Sequence, residues 1–304
     1  MLKKKNVFGF LFFVMMIGNA QDTIMPLWPS EIPNVIKNTQ KEIKEYTNIL
    51  RISKVQEPTI EVYLPSKRNA NGQAMLIFPG GGYKILAYDW EGTDMAKFLN
   101  SKGIAGIVVK YRLPDSNSSS MPHFAPLQDA QRAIKMVRAN AKAWNINAEK
   151  VGIMGFSAGG HLAATLGTHF NEKVYENQDA IDTLSVRPNY MALIYPVITM
   201  QDSTTHKGSK NALLGEKPTK EMVHHFSTEL QVTDKTPPTF LVHATDDAAV
   251  PVENSLLFYK ALKAKKVSAT LFIYPEGGHG FSFGYENEFL KDWTHQLSRW
   301  LASQ

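Results

Sequence analysis

The sequence predicts an α/β fold with a mostly parallel central sheet flanked by helices. Three observations predict it. Short apolar runs without polar alternation recur along the chain, amphipathic stretches lie between them, and a glycine-rich turn joins one run directly to a helix-forming segment. Unbroken apolar runs suit parallel strands covered on both faces, and alternation of strand and helix winds a parallel sheet. The 304 residues, 43% hydrophobic and 20% charged, have ordinary globular composition and suffice for a core without covalent staples. There is no cysteine, which excludes disulfides, thiolate metal sites, iron–sulfur clusters and a thiol nucleophile.

Taken in order, Lys3, Lys4 and Lys5 precede an apolar run over 7–17 and then Gly18-Asn19-Ala20. A basic start, a short apolar stretch and a small residue read as a signal peptide over 1–20, cut after Ala20. The run is shorter than the roughly 20 residues a spanning helix needs, so no stable membrane insertion is expected after its removal. The expected destination is the periplasm or the medium. Loss of the three lysines lowers the net charge from +5 to about +2, which argues against a nucleic-acid partner.

Residues 21–57 read as a lead-in segment ahead of a single domain over 58–304. The prolines of Met25-Pro26-Leu27-Trp28-Pro29 forbid a helix there, and Leu27 and Trp28 are expected to pack on the core. Residues 59–64 alternate like a strand with one wet face. Residues 74–78, 104–109, 151–154, 191–197, 239–243 and 269–274 run apolar. Helical stripes run over 126–142, with Pro126 in the first turn, and over 286–302, with Phe289, Leu290, Trp293, Leu297, Trp300 and Leu301 on one side. The polar stretch 198–236, with a short helix expected over 222–226, reads as an excursion or small cap over the C-terminal edge of the sheet.

The strongest chemical signal is Gly155-Phe156-Ser157-Ala158-Gly159, placed between the run at 151–154 and the helix-prone Gly160-His161-Leu162-Ala163-Ala164. Small residues two before and two after a serine permit the sharp strand–turn–helix bend that exposes its hydroxyl. A serine hydroxyl needs a base, and the base an orienting carboxylate. Asp246 and Asp247 follow the run at 239–243; Asp247, four residues before Pro251, is the favoured acid. His279, in Gly277-Gly278-His279-Gly280-Phe281 after the last run, is the favoured base. His161 reads as structural, His243 as bonded within its loop, and His224 and His225 as excursion surface. Pro79-Gly80-Gly81-Gly82-Tyr83 lets backbone amides approach a developing anion, so Gly81, Gly82 and Ala158 are the candidate oxyanion hole. No Lys-Ser/Thr pair follows these glycines, which discounts a phosphate loop. Tyr83, Tyr88 and Trp90, with Asp89 among them, are candidate substrate contacts, whereas Arg112, Asp129 and Arg132 read as structural ion pairs.

At these residues the chain resembles the α/β-hydrolase esterases, and among them the bacterial acetylxylan-esterase-like carbohydrate acetyl esterases near the feruloyl-esterase-like BD-FAE type. The resemblance spans nearly all of the chain after residue 20. It rests on the Leu27-Trp28-Pro29 start, the triple-glycine turn, Glu91-Gly92, Tyr111-Arg112-Leu113-Pro114, the nucleophile block, Leu213-Leu214-Gly215, and the Asp247 and His279 loops. Lipase-like relatives carry His where this chain has Pro79, and many relatives carry Gly where it has Ala244. The resemblance implies an α/β-hydrolase fold, a Ser157-His279-Asp247 triad and removal of short acyl groups, above all acetyl, from a plant or algal polysaccharide such as xylan or its oligomers; two-step acyl transfer through that triad needs no metal or cofactor. Two other readings stay open. One is a serine peptidase of the prolyl-oligopeptidase type, which usually carries a large N-terminal propeller; the other is a non-catalytic carbohydrate-binding protein on a hydrolase scaffold, which usually lacks a triad member.

Overall fold

The computed structural model describes residues 23–304, so the expected leader over 1–20 and its cut lie outside the described residues. The lead-in is more ordered than its composition suggests. It carries β1 (Thr23–Pro26), β2 (Ile43–Tyr46) and β3 (Leu50–Ser53). β1 pairs antiparallel with β4 (Thr59–Tyr63), Met25 opposite Ile60. The lead-in therefore belongs to the main sheet, and no structural break falls at residue 58. Leu27 and Trp28 are buried as expected, and the Trp28 indole donates to Asp129 Oδ1 at 2.8 Å.

The remaining strands are β5 (Ala74–Phe78), β6 (Leu86–Ala87), β7 (Ala105–Lys110), β8 (Val151–Phe156), β9 (Met191–Ile194), β10 (Thr239–Ala244) and β11 (Ala269–Tyr274). Among the described residues the main sheet has eight strands in the order β1-β4-β7-β5-β8-β9-β10-β11. From β7 onward the neighbours run parallel, with Leu76 of β5 opposite Ile107 on one side and Ile153 on the other. β5, β8, β9 and β10 are buried at every residue, as their unbroken apolar runs predict. β2, β3 and β6 form a separate antiparallel sheet beside the triple-glycine turn.

The helices are α1 (Asp94–Ser101), α2 (Ala125–Asn140), α3 (Ser157–Thr168), α4 (Lys207–Leu214), α5 (Lys220–Phe226), α6 (Glu253–Ala264) and α7 (Trp293–Leu301). α2 matches its predicted stripe, with Pro126 in the first turn, where a missing N–H costs nothing. Arg112 grips the Asp129 carboxylate through Nε at 2.9 Å and Nη2 at 2.8 Å; Arg132 pairs instead with Asp179, at 2.7 Å from each terminal nitrogen. Arg112, Asp129 and Arg132 are thus structural, as the sequence suggested: their pairs fasten the segments after β7 and after α3 to α2, and Arg132 Nε and Arg112 Nη1 also donate to the lead-in carbonyls of Leu27, at 2.9 Å, and Pro33, at 2.8 Å.

Three elements differ from expectation. The last helix begins at Trp293, because the Asn287 side chain accepts from the Phe289 and Leu290 amides and holds that stretch in turns. Phe289 is thereby turned to solvent, 47% exposed. β9 stops at Ile194, because Tyr195 adopts a left-handed φ of 37° and Pro196 follows it with no N–H to donate. β11 lies at the sheet edge and is only half-buried, so it is not covered on both faces. The 198–236 excursion holds α4 and α5. Its Phe226 carbonyl accepts from His161 of α3, and Asn254 of α6 binds the Ile198 amide at 3.0 Å.

Candidate active site

Parallel strands end on one edge, and ligands in open α/β sheets bind beyond the carboxyl ends of the strands. β8 ends there at Phe156, and Ser157 opens α3 with φ of 51°, the strained turn predicted for it. A Cβ at Gly155 would overlap the Gly159 carbonyl, and one at Gly159 would overlap the Phe78 carbonyl. This is why both flanking positions must be glycine.

The loops after β10 and β11 bring the other two groups to this serine. Ser157 Oγ lies 2.8 Å from His279 Nε2, and His279 Nδ1 lies 2.7 Å from Asp247 Oδ2. Nδ1–H donates to the carboxylate, which leaves the Nε2 lone pair to accept the serine proton. Asp247 also accepts from the amides of Ala249 at 3.0 Å and Val250 at 2.8 Å through Oδ1, and His243 Nε2 lies 3.2 Å from Oδ2. Burial pushes the Asp247 carboxyl up, but the hydrogen bonds from His243, His279 and Val250 outweigh it and hold the group well below the usual range. Asp247 is therefore ionised at neutral pH. Asp246 acts on the loop instead. Its Oδ1 accepts from the Gly278 amide at 2.8 Å and holds the segment that carries His279. His243 is fully buried between Ser255 Oγ at 2.8 Å and the Val250 carbonyl at 2.9 Å, the loop-bonded role expected of it.

The triple-glycine turn after β5 faces the serine. Gly81 and Gly82 have φ of 130° and 64°, and both line, with Ser157 and His279, a cleft of about 760 Å³. Among the described residues the Gly81, Gly82 and Ala158 amides donate to no backbone carbonyl or side chain, whereas the Gly80 amide donates to Glu91 Oε2 at 2.7 Å. Trp90 lines the same cleft, 38% exposed, with its indole N–H on the Gly280 carbonyl at 2.9 Å.

Tyr83 and Tyr88 do not reach the cleft, which corrects their expected role as substrate contacts. A left-handed φ of 61° turns Tyr83 into the core, where it is 2% exposed and its hydroxyl donates to His161 Nδ1 at 2.8 Å. His161 Nε2 donates in turn to the Phe226 carbonyl at 2.8 Å, and burial lowers its pKa to about 4, so it is the neutral structural residue expected. Tyr88 is buried with its hydroxyl on Glu61 Oε2 at 2.8 Å.

Three residues with no individual role in the sequence reading complete the site. Buried Glu91 accepts from Gly80 through one oxygen and from the Tyr195 hydroxyl, at 2.7 Å, through the other. The Tyr195 oxygen accepts from the Ser282 amide at 3.1 Å, and its ring stands edge-on to His279 with centroids 5.1 Å apart. One carboxylate thus links the glycine turn, the end of β9 and the histidine loop. The only sequence sign of this was Glu91-Gly92 as an unexplained motif. His206, at the N-cap of α4, lines the cleft beside Gly82; its Nδ1 accepts from Ser209, which leaves Nε2–H as a donor. Burial lowers its pKa, so it is neutral near pH 7. Nothing in the polar stretch around His206 marked it.

A sheet of this order, with a cleft-lining serine on a strand–helix turn and acid and histidine on the last two strand loops, defines an α/β hydrolase. The BD-FAE family model matches residues 60–262, and the chain belongs to that family. It is 37% identical to the acetylxylan esterase of Xylanibacter ruminicola over 86% of this chain and 51% of that protein. It is 38% identical to endo-1,4-beta-xylanase B of Butyrivibrio fibrisolvens over 78% of this chain and 36% of that protein. The chain thus spans about half, or less, of the length of these curated relatives. The crystal structure of the acetyl ester-xyloside bifunctional hydrolase from Caldicellulosiruptor lactoaceticus superposes with a TM-score of 0.77 at 38% identity, covering 92% of this chain and 96% of that one.

Proposed function

We propose that the chain is an exported serine esterase that removes acetyl or other short acyl groups from a polysaccharide or oligosaccharide such as xylan. The observation that carries this reading is the unbroken Ser157–His279–Asp247 hydrogen-bond chain beside the Gly81-Gly82 turn in an open cleft. Ser157 Oγ attacks the ester carbonyl carbon while its proton passes to His279 Nε2. The carbonyl oxygen, now negative, sits against the amides of Gly81, Gly82 and Ala158. Asp247 holds the imidazole and stabilises the imidazolium. As the C–O bond breaks, His279 gives its proton to the departing sugar oxygen. Water, deprotonated by His279, then attacks the acyl-enzyme and frees the acid and Ser157. Trp90 offers an indole face to a sugar ring at the cleft rim. The carbohydrate substrate is supported by the relatives, and export by the basic and apolar start of the chain.

The test is acid release from acetylated xylan, other acetylated glycans and a short aryl acetate, with wild type and Ser157→Ala in parallel. Acetate release from a glycan that vanishes in the variant is expected, with a loss of at least about 10³-fold. Equal activity in both proteins would refute the mechanism. Turnover of prolyl amides without esters would move the reading to a peptidase. N-terminal sequencing of the protein recovered outside the cytoplasm tests the cut after Ala20.

A further inference from the structure

We propose that His169, Glu172 and His225 form a divalent-cation site suited to Zn²⁺, at the far end of α3 from Ser157. One ligand atom from each residue lies within 4.8 Å of the others. His169 Nε2, Glu172 Oε2 and His225 Nε2 are buried atoms, and none has a hydrogen-bond partner. Glu172 and His225 make only a long ion-pair contact with each other, at 3.4 Å, and buried His169 Nε2 has not even that, so three atoms converge with no common partner. A single cation satisfies all three.

The geometry fits such an ion. His225 Nε2 lies 3.4 Å from Glu172 Oε2, close to the roughly 3.3 Å edge of a tetrahedron drawn around zinc with bonds near 2.0–2.1 Å. The His169 and His225 rings are 4.5 Å apart. His169, 8% exposed, directs Nδ1 to the Thr165 carbonyl at 3.2 Å. That backbone bond places the proton on Nδ1 and leaves the Nε2 lone pair for a metal, the outer-shell arrangement that orients metal-bound histidines. Glu172 and His225 are each about one-third exposed in their side chains, which leaves a fourth position open to water.

The site joins two elements that matter to the cleft. His169 is the C-cap of α3, and His225 lies in the last turn of α5, next to Phe226, whose carbonyl holds His161. A bound ion ties the excursion to the nucleophile helix. α3 is 12 residues long, about 18 Å, so the ion does not touch the reacting atoms. Binding of the ion does not depend on the chain being an esterase.

The full chain, stripped with chelator, is titrated with Zn²⁺ by calorimetry and followed by thermal melting. One equivalent should bind and raise Tm, and Co²⁺ should give the visible absorption of a four-coordinate nitrogen–oxygen site. His225→Ala and Glu172→Gln, both at partly exposed positions, should weaken binding at least tenfold and abolish the Tm rise. His206→Ala should bind as wild type does, because His206 lies outside the cluster. No binding below about millimolar Zn²⁺, or binding unchanged in both cluster variants, would overturn the site and leave water as the partner of these atoms.

Discussion

Glu91 offers the sharpest test of how the cleft is organised. Both of its oxygens accept, one from the Gly80 amide and one from the Tyr195 hydroxyl, each at 2.7 Å. Glu91→Gln keeps the shape but replaces one acceptor with an NH₂ donor, so one of these donors loses its partner. A hydrogen bond to a charged acceptor contributes about 1.5–3 kcal/mol. If that loss falls on the glycine turn, the Gly81 and Gly82 amides lose their fixed aim at the transition-state oxygen. A loss of that size corresponds to a fall in kcat of roughly 10- to 150-fold. KM should change little, because the oxyanion forms only in the transition state. Tyr195→Phe leaves the Gly80 bond intact and should cost less in kcat. The assay is steady-state hydrolysis of an aryl acetate, with thermal melting alongside. Wild-type kcat in a correctly folded Glu91→Gln, or a rise in KM alone, would refute the reasoning.

Other substitutions probe the same geometry. Asp247→Asn should lower kcat about 10⁴-fold, because an amide cannot hold the imidazole in the required tautomer, while Asp246→Asn should cost no more than about tenfold through the looser Gly278 loop; equal losses would refute the assignment of the acid. Trp90→Ala should raise KM for an acetylated oligosaccharide several-fold yet leave a small aryl acetate nearly unaffected, and an equal change for both would remove the stacking role. Stability should fall on acidification. His161 is held neutral with a pKa of about 4 against 6.5 unfolded, so the unfolded chain binds more protons as pH drops through this window. The loss is about 3 kcal/mol between pH 7 and 4. Burial of His169 and His206 pushes the same way, and Asp247, held below its unfolded value of about 3.9, adds a loss at lower pH still. Urea midpoints that stay flat from pH 7 to 4 would contradict the buried neutral state of His161.

Much of the fold was legible because its causes are local. Unbroken apolar runs at 74–78, 151–154 and 239–243 report strands covered on both faces, and all three are buried strands. The run at 269–274 has the same character but became a half-buried edge, because what lies beside a strand is not written within it. The last helix is shorter than its stripe because periodicity alone takes no account of the Asn287 side chain, which captures two amides the helix needs. The lead-in strands leave little trace in the sequence because each has only four residues and draws its order from partners elsewhere in the fold.

The candidate site divides along the same line. The sequence alone determined the serine turn, the glycine turn and the order of serine, acid and histidine. Those depend on backbone conformations that only small residues permit and on loops that must follow particular strands. The tertiary structure decided which of two adjacent carboxylates meets His279, and that Tyr83 and Tyr88 point into the core while Trp90 faces the cleft. It also brought Glu91, Tyr195 and His206 from three separate segments to one place. Side-chain direction is set by the packing and hydrogen bonds of distant neighbours, and these exist only once the sheet has closed.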